Sequence, residues 1–156
     1  MEKNSTEIMA QFLELIPKGT GIELPPKIFI DMDGKFIDFF EGKSLTVRFP
    51  VKERYMNPFG FMQGGIVVAA IDNTVAPLSY VLAPPNVTKE ITTIFKRPIK
   101  SSEPFIDVIA SMLEKTESYI VMQAEVRNES GKLVAKGTAK CIFVQNQKEK
   151  HEYRIP

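Results

Sequence analysis

Apolar and polar positions divide this chain into three periodic regimes. Ile8, Phe12, Leu15 and Ile16 recur at roughly helical spacing behind an Asn4–Glu7 pair set like a capping box, and Pro17 and Gly19 close the run. The pattern predicts a helix over about residues 5–16, packing as a flank or lid, then a loop from Gly19 to Pro26. From Ile28 to Val51 the period falls to two. Phe36 to Phe40, the Glu41-Gly42-Lys43 turn, and Leu45, Val47 and Phe49 alternating with Thr46 and Arg48 predict a hairpin with one buried face. The third regime starts in a Pro- and Gly-punctuated loop, Asn57-Pro58-Phe59-Gly60-Phe61-Met62-Gln63-Gly64-Gly65. It continues from Ile66 to Leu78 as a run apolar on every side except for Asp72, Asn73 and Thr74. This reads as a loop opening a buried helix, which the rest of the domain must wrap.

Beyond the helix the strand pattern returns over Val87–Arg97, Phe105–Leu113, Tyr119–Arg127 and Leu133–Phe143. The polar connectors Glu114–Ser118 and Asn128–Gly131 are short, so neighbouring strands should pair antiparallel. On Tyr119–Arg127 one face carries Ile120, Met122, Ala124 and Val126, as expected of a sheet covered on one side. Ala135, Gly137 and Ala139 share a face of the last strand, where another element should pack closely. The order is helix, two strands, buried helix, four strands. It predicts an α+β domain in which one antiparallel sheet curls around one central helix.

Composition narrows the function classes. At 156 residues the chain is expected to form one domain, 1–156, with a core over about 35–144 and a polar tail over 145–156. Its 20 basic against 19 acidic side chains give a formal charge of +1, which offers no electrostatic case for nucleic acid or a membrane surface, though a small anionic ligand remains compatible. One cysteine, Cys141, excludes an internal disulfide framework, and the Met1-Glu2-Lys3-Asn4 start lacks signal-peptide character. The expectation is a cytoplasmic protein. The apolar window from Gly64 to Pro84 contains Asp72, Asn73 and Pro77, which suits a helix buried in protein better than one in lipid.

The one histidine, His151, lies in the polar tail, and clustered His and Cys metal ligands are absent from the sequence. Any acid–base group should therefore be a carboxylate. Asp72 stands out, because a charge within an apolar helix is costly unless a partner or a function accounts for it.

Asn57, Gly60, Gly64, Gly65 and Asp72, placed on loop and buried helix, carry a family pattern, and the strand from Thr88 to the Arg97-Pro98 pair extends it. On these residues, over about 35–144, the chain resembles the hotdog-fold thioesterases, in particular the branch with phenylacetate-pathway and human thioesterase superfamily members acting on acyl-coenzyme A. Gln63 stands where that family has a histidine. The resemblance implies the hotdog fold and hydrolysis of an acyl-CoA, with coenzyme A as part of the substrate and no separate cofactor. It also implies a homodimer, with a dimer of dimers left open, whose two central helices run antiparallel. Asp72 would be general base or nucleophile, Asn57 would orient the carbonyl or the loop, and Thr88 would help hold the attacking water.

General chemistry supports parts of that picture. A helix beginning at Gly64-Gly65 offers free N–H groups and its positive dipole end to a thioester oxygen. Asp72 lies about 12 Å further along the axis, too far for one chain to bring both to one reacting atom. Phe59, Phe61 and Met62 offer apolar surface to an acyl tail, Gln63 and Gly65 flank it, and Arg97, Lys96, Lys100 and Arg54 are candidates for the phosphates.

Each residue also has a plainer reading. Asp72 would pair with Arg97 or Lys96, or cap a kink near Pro77; Asn57 opens a turn; Thr88 is a strand residue; Phe59, Phe61 and Met62 fill core. Gln63 cannot titrate near neutrality, which favours a non-catalytic acyl-thioester binder as the alternative. A dimerisation platform that neither binds nor turns over thioesters is the third class. Hydratase chemistry, which draws on an Asp–His pair, is disfavoured.

Overall fold

A computed structural model describes residues 4–146 and 153–154. His151 and most of the polar tail lie outside the described residues.

Asn4 caps the first helix, α1 (Ser5–Glu14), reciprocally: its Oδ1 accepts from the Glu7 N–H at 3.0 Å while Glu7 Oε2 accepts from its N–H at 2.9 Å. The helix stops two residues short of the expected Ile16. Phe12, fully buried, meets the rings of Phe36 and Phe39 edge-on at 5.1 Å each, which pins α1 against β1 (Lys35–Phe40).

The period-two regime begins at Lys35 and not at Ile28. Lys27–Asp31 forms a short helix, α2, with Phe29 turned inward and Ile28 and Ile30 half exposed. Over five residues a strand and a helical turn can both turn Phe29 inward and Ile28 and Ile30 away from it, so periodicity cannot separate the two. Pro26 opens the turn, and Gly34 lets it close: a Cβ there would lie 2.7 Å from the Phe29 ring.

β1 pairs with β2 (Ser44–Pro50) through a turn in which Gly42 takes φ +72°. A 3-10 turn at Glu53–Tyr55 leads into the loop and α3 (Gly64–Leu82). Then come β3 (Asn86–Phe95), β4 (Phe105–Lys115), β5 (Tyr119–Asn128) and β6 (Leu133–Phe143), with Gln145–Asn146 pairing Tyr153–Arg154 as a small separate ladder, β7 and β8. The six main strands form one antiparallel sheet in the order β1-β2-β4-β5-β6-β3. α3 crosses its inner face and touches β2 through β6.

The helix lies close on the small-residue face of β6. A Cβ on Gly137 would lie 2.9 Å from Cδ1 and 3.0 Å from Cγ2 of Ile71, so glycine sets the helix–sheet distance there. The sheet wraps the inner side of α3. Val67, Ala70, Ile71, Thr74, Val75 and Leu78 are buried against the sheet, whereas Gly65, Val68, Ala69, Asp72 and Ala76 form a stripe that remains half-buried or exposed.

Candidate active site

The loop before α3 is held by its backbone and by one side chain. Asn57 Oδ1 accepts the N–H groups of Phe59 (2.9 Å) and Phe61 (3.1 Å), and its own N–H donates to the Phe61 carbonyl at 2.7 Å. Gly60, at φ +78°, makes the reversal that a side chain would strain. Met62 N–H reaches the Ile99 carbonyl at 2.8 Å, and Gln63 N–H the Tyr55 carbonyl at 2.7 Å. The Gln63 carbonyl then accepts from Ile66 at 2.9 Å and starts the helix, while its exposed side chain caps nothing. Gln63 therefore shapes the loop with backbone groups that any residue supplies.

The N–H groups of Gly64 and Gly65 meet no acceptor among the described residues, as the first turn of a helix dictates. Gly64 packs under Phe95, and a Cβ on Gly65 would meet nothing within 4 Å. Beside this helix tip lies a cavity of about 320 Å³ lined by Asn57, Phe61, Met62, Gly64, Phe95 and Lys96–Ile99. The Arg97 guanidinium at its edge donates to the Leu133 carbonyl at 3.1 Å.

Asp72 lines a different cavity, of about 380 Å³, on the other side of the helix tip's reach. Its Oδ1 accepts the Thr88 hydroxyl of β3 at 2.8 Å. Among the described residues no lysine or arginine pairs with it, so the ion pair with Arg97 or Lys96 is not formed. On the same stretch of α3, Asn73 Nδ2 donates to the Ala69 carbonyl at 2.9 Å and the Thr74 hydroxyl to that of Ala70 at 2.8 Å. Thr88 also lies 3.9 Å from the Cys141 sulfur. Burial pushes the Cys141 thiol up; the Thr88 hydrogen bond opposes this, and the Asp72 charge adds to it.

The residues expected at the site thus fall into two groups. Asn57, Phe61, Met62, Gly64 and Arg97 gather at the helix tip, and Asp72 with Thr88 forms the second group along the helix. Phe59 is 84% exposed and lines neither cavity, and Met62 is itself core. Arg54 lies elsewhere, against the Asp31 carbonyl and the Tyr55 ring. The sequence reading did not anticipate Cys141, Phe95, or the segment from Gly21 to Ile28 that walls the Asp72 cavity. The apolar alternation of Ile22, Leu24 and Ile28 among prolines was the signal available for the last of these.

No protein-family model matches the chain. A Saccharolobus solfataricus protein named "Putative esterase SSO2140" is 34% identical over 123 residues, covering 78% of this chain and 86% of the relative. Among solved structures, the thioesterase HI1161 from Haemophilus influenzae superimposes with a TM-score of 0.70 at 24% identity, over 80% of this chain and 87% of that one. The chain belongs to the family of that putative esterase and has the hotdog fold. The PaaI protein from the phenylacetic acid degradation operon of E. coli shares that fold with a TM-score of 0.74 at 17% identity, over 92% of this chain and 95% of its own. A six-stranded antiparallel sheet on one central helix is the hotdog arrangement, and relatives of this chain carry thioesterase and esterase names. Within this hotdog chain, the donor-rich helix tip and the acid occupy separate cavities.

Proposed function

We propose that this hotdog protein hydrolyses an acyl-coenzyme A to free acid and thiol, in a site assembled from two copies of the chain. The observation that carries the reading is the Asp72–Thr88 pair. A half-buried carboxylate opens on a cavity, is oriented by one hydroxyl and is neutralised by no cation among the described residues. Such a group is built to take a proton and not to hold a fold together.

With Thr88 donating to Oδ1, the other carboxylate oxygen is left for a water molecule. The water adds to the thioester carbon as its proton passes to Asp72. The oxyanion that forms is held by the N–H of the partner subunit's Gly64, at the positive end of that helix. Collapse breaks the C–S bond, and the proton on Asp72 goes to the departing thiolate. Lys96 and Arg97, beside the helix tip, suit the phosphates of coenzyme A.

Two features of the lone chain support a second copy. The stripe from Gly65 to Ala76 is small, largely apolar and uncovered, and β3 ends the sheet with Ile94 and Phe95 more than half exposed. Antiparallel helices in contact along the stripe would carry the acid of one chain to the tip of the other.

Thiol release from acetyl-, hexanoyl-, palmitoyl- and phenylacetyl-CoA tests the reading. Activity should fall at least about 1,000-fold in Asp72→Asn, which keeps the volume and loses the base. Full activity in that variant overturns the role of Asp72. Saturable binding without hydrolysis in the unaltered protein would instead make it an acyl-thioester binder, the reading that Gln63 favours.

A further inference from the structure

The cavity at Asp72 is walled in part by a stretch of the chain outside the sheet and helix that define the fold. Ile22, Leu24, Pro26 and Ile28, from the segment joining α1 to α2 and its end, face Ala76 and Pro77 of α3 across it. The polar side chains in its wall are largely committed elsewhere. Asn73 is tied to Ala69 and lies 3.8 Å from the Met32 sulfur, and Asn86 is held between the Ser79 hydroxyl at 2.8 Å and the Pro84 carbonyl at 2.9 Å. No lysine or arginine lines it among the described residues, and the charges it does meet are the carboxylates of Asp72 and Glu23. A ligand here has an apolar body, bears no negative charge at its far end, and presents its polar, reactive end to Asp72.

We infer that the 21–28 segment forms the acyl-selecting wall, and that the substrates are uncharged acyl groups of medium length or a single aryl ring. The inference rests on the thioesterase reading above and gives it a substrate class. About 380 Å³ lies near the small end of small-molecule sites. If a methylene takes about the volume of a liquid water, roughly 30 Å³, the space holds roughly a dozen such units at most. An acyl group of six to ten carbons fits on that scale; palmitoyl overfills it, and acetyl leaves it mostly empty. Carboxylate-ended acyl groups are rejected, since they place a third negative charge beside Glu23 and Asp72.

The chain has no tryptophan, so one introduced at the wall reports on this cavity alone. Two variants make the test. Ile22→Trp fills the half-buried wall and is expected to lower kcat/KM at least tenfold for octanoyl-CoA while changing that for acetyl-CoA less than threefold. Ile28→Trp, at a position 51% exposed, is the reporter: its emission should shift to the blue with S-hexyl-CoA, a thioether that cannot be hydrolysed, and should not respond to coenzyme A. Glu23→Lys should raise the ratio of glutaryl- to hexanoyl-CoA turnover at least fivefold. An unchanged chain-length profile in Ile22→Trp together with a silent reporter overturns the inference. If the unaltered protein hydrolyses no acyl-CoA, the catalytic reading has failed. The reporter still decides this one: a blue shift with S-hexyl-CoA supports the acyl wall, and silence overturns it.

Discussion

The two ends of the exposed stripe on α3 are made differently. At the tip, structure comes from backbone hydrogen bonds, a glycine reversal at Gly60 and helix-start donors with no acceptor, and the charges nearby are positive. Two turns on, the polar groups are side chains, Asp72 and Thr88, in a cavity whose only charges among the described residues are negative. Hydrolysis of a thioester needs both a donor for the oxyanion and a base for water. In the proposed mechanism each region supplies one of these, and about 12 Å of helix keeps them apart in a single chain. The difference teaches that, under the proposed mechanism, each half is locally well formed and neither suffices alone.

The strongest way to break this comparison is to damage each half in a separate subunit. Gly64→Pro removes the tip N–H at a helix position that favours proline, behind a Gln63 already at ψ 132°. It should lower kcat roughly 100- to 1,000-fold. Mixing Gly64→Pro and Asp72→Asn subunits after reversible denaturation should restore about a quarter of the activity, the statistical share of intact sites in randomly paired two-fold dimers. No recovery would mean that the two groups do not serve one site across subunits.

A smaller effect belongs to the acid half alone. Thr88→Val deletes a hydrogen bond to a carboxylate, worth about 1.5 to 3 kcal/mol, and should reduce kcat roughly ten- to a hundredfold while leaving KM nearly unchanged. A change confined to KM would assign Thr88 to substrate binding. Gly137→Ala probes the spacing beneath Asp72, because its methyl would press on the fully buried Ile71. A loss of about 1 to 3 kcal/mol in urea unfolding is expected, and an unchanged midpoint would show that α3 can lift from the sheet.

The smallest effect is a pH dependence from Cys141. With the folded thiol raised by burial above its ordinary value near about 8.5, the unfolded chain loses its proton first. That contribution is present below the unfolded value and is lost as pH rises from there through the folded one. Cys141→Ala should flatten this part of the stability curve between neutral and alkaline pH; equal slopes in the two proteins would refute it.

Much of the fold was legible because its signals are local. The Asn4–Glu7 box, the alternation on β2 and β5, and the glycine pair before a long apolar run each act over a few residues. The same is true of Asp72 as the misfit in its helix. The short α2 was misread as strand because five residues cannot distinguish a period of two from a helical turn. Which positions of α3 stay half-buried was not legible for a different reason: apolar residues on all sides imply burial but do not say which face the sheet covers.

Sequence by itself determined the order of elements, the antiparallel sheet on one helix, the loop that opens that helix and the acid within it, since spacing and turn chemistry encode these along the backbone. Only the tertiary structure decided that Thr88, 16 residues from Asp72, donates to it, that Cys141 lies behind the pair, and that the 21–28 segment walls the cavity. Those contacts depend on strand register and on how closely α3 lies on Gly137, distances fixed by packing between elements far apart in the chain and invisible to any local pattern.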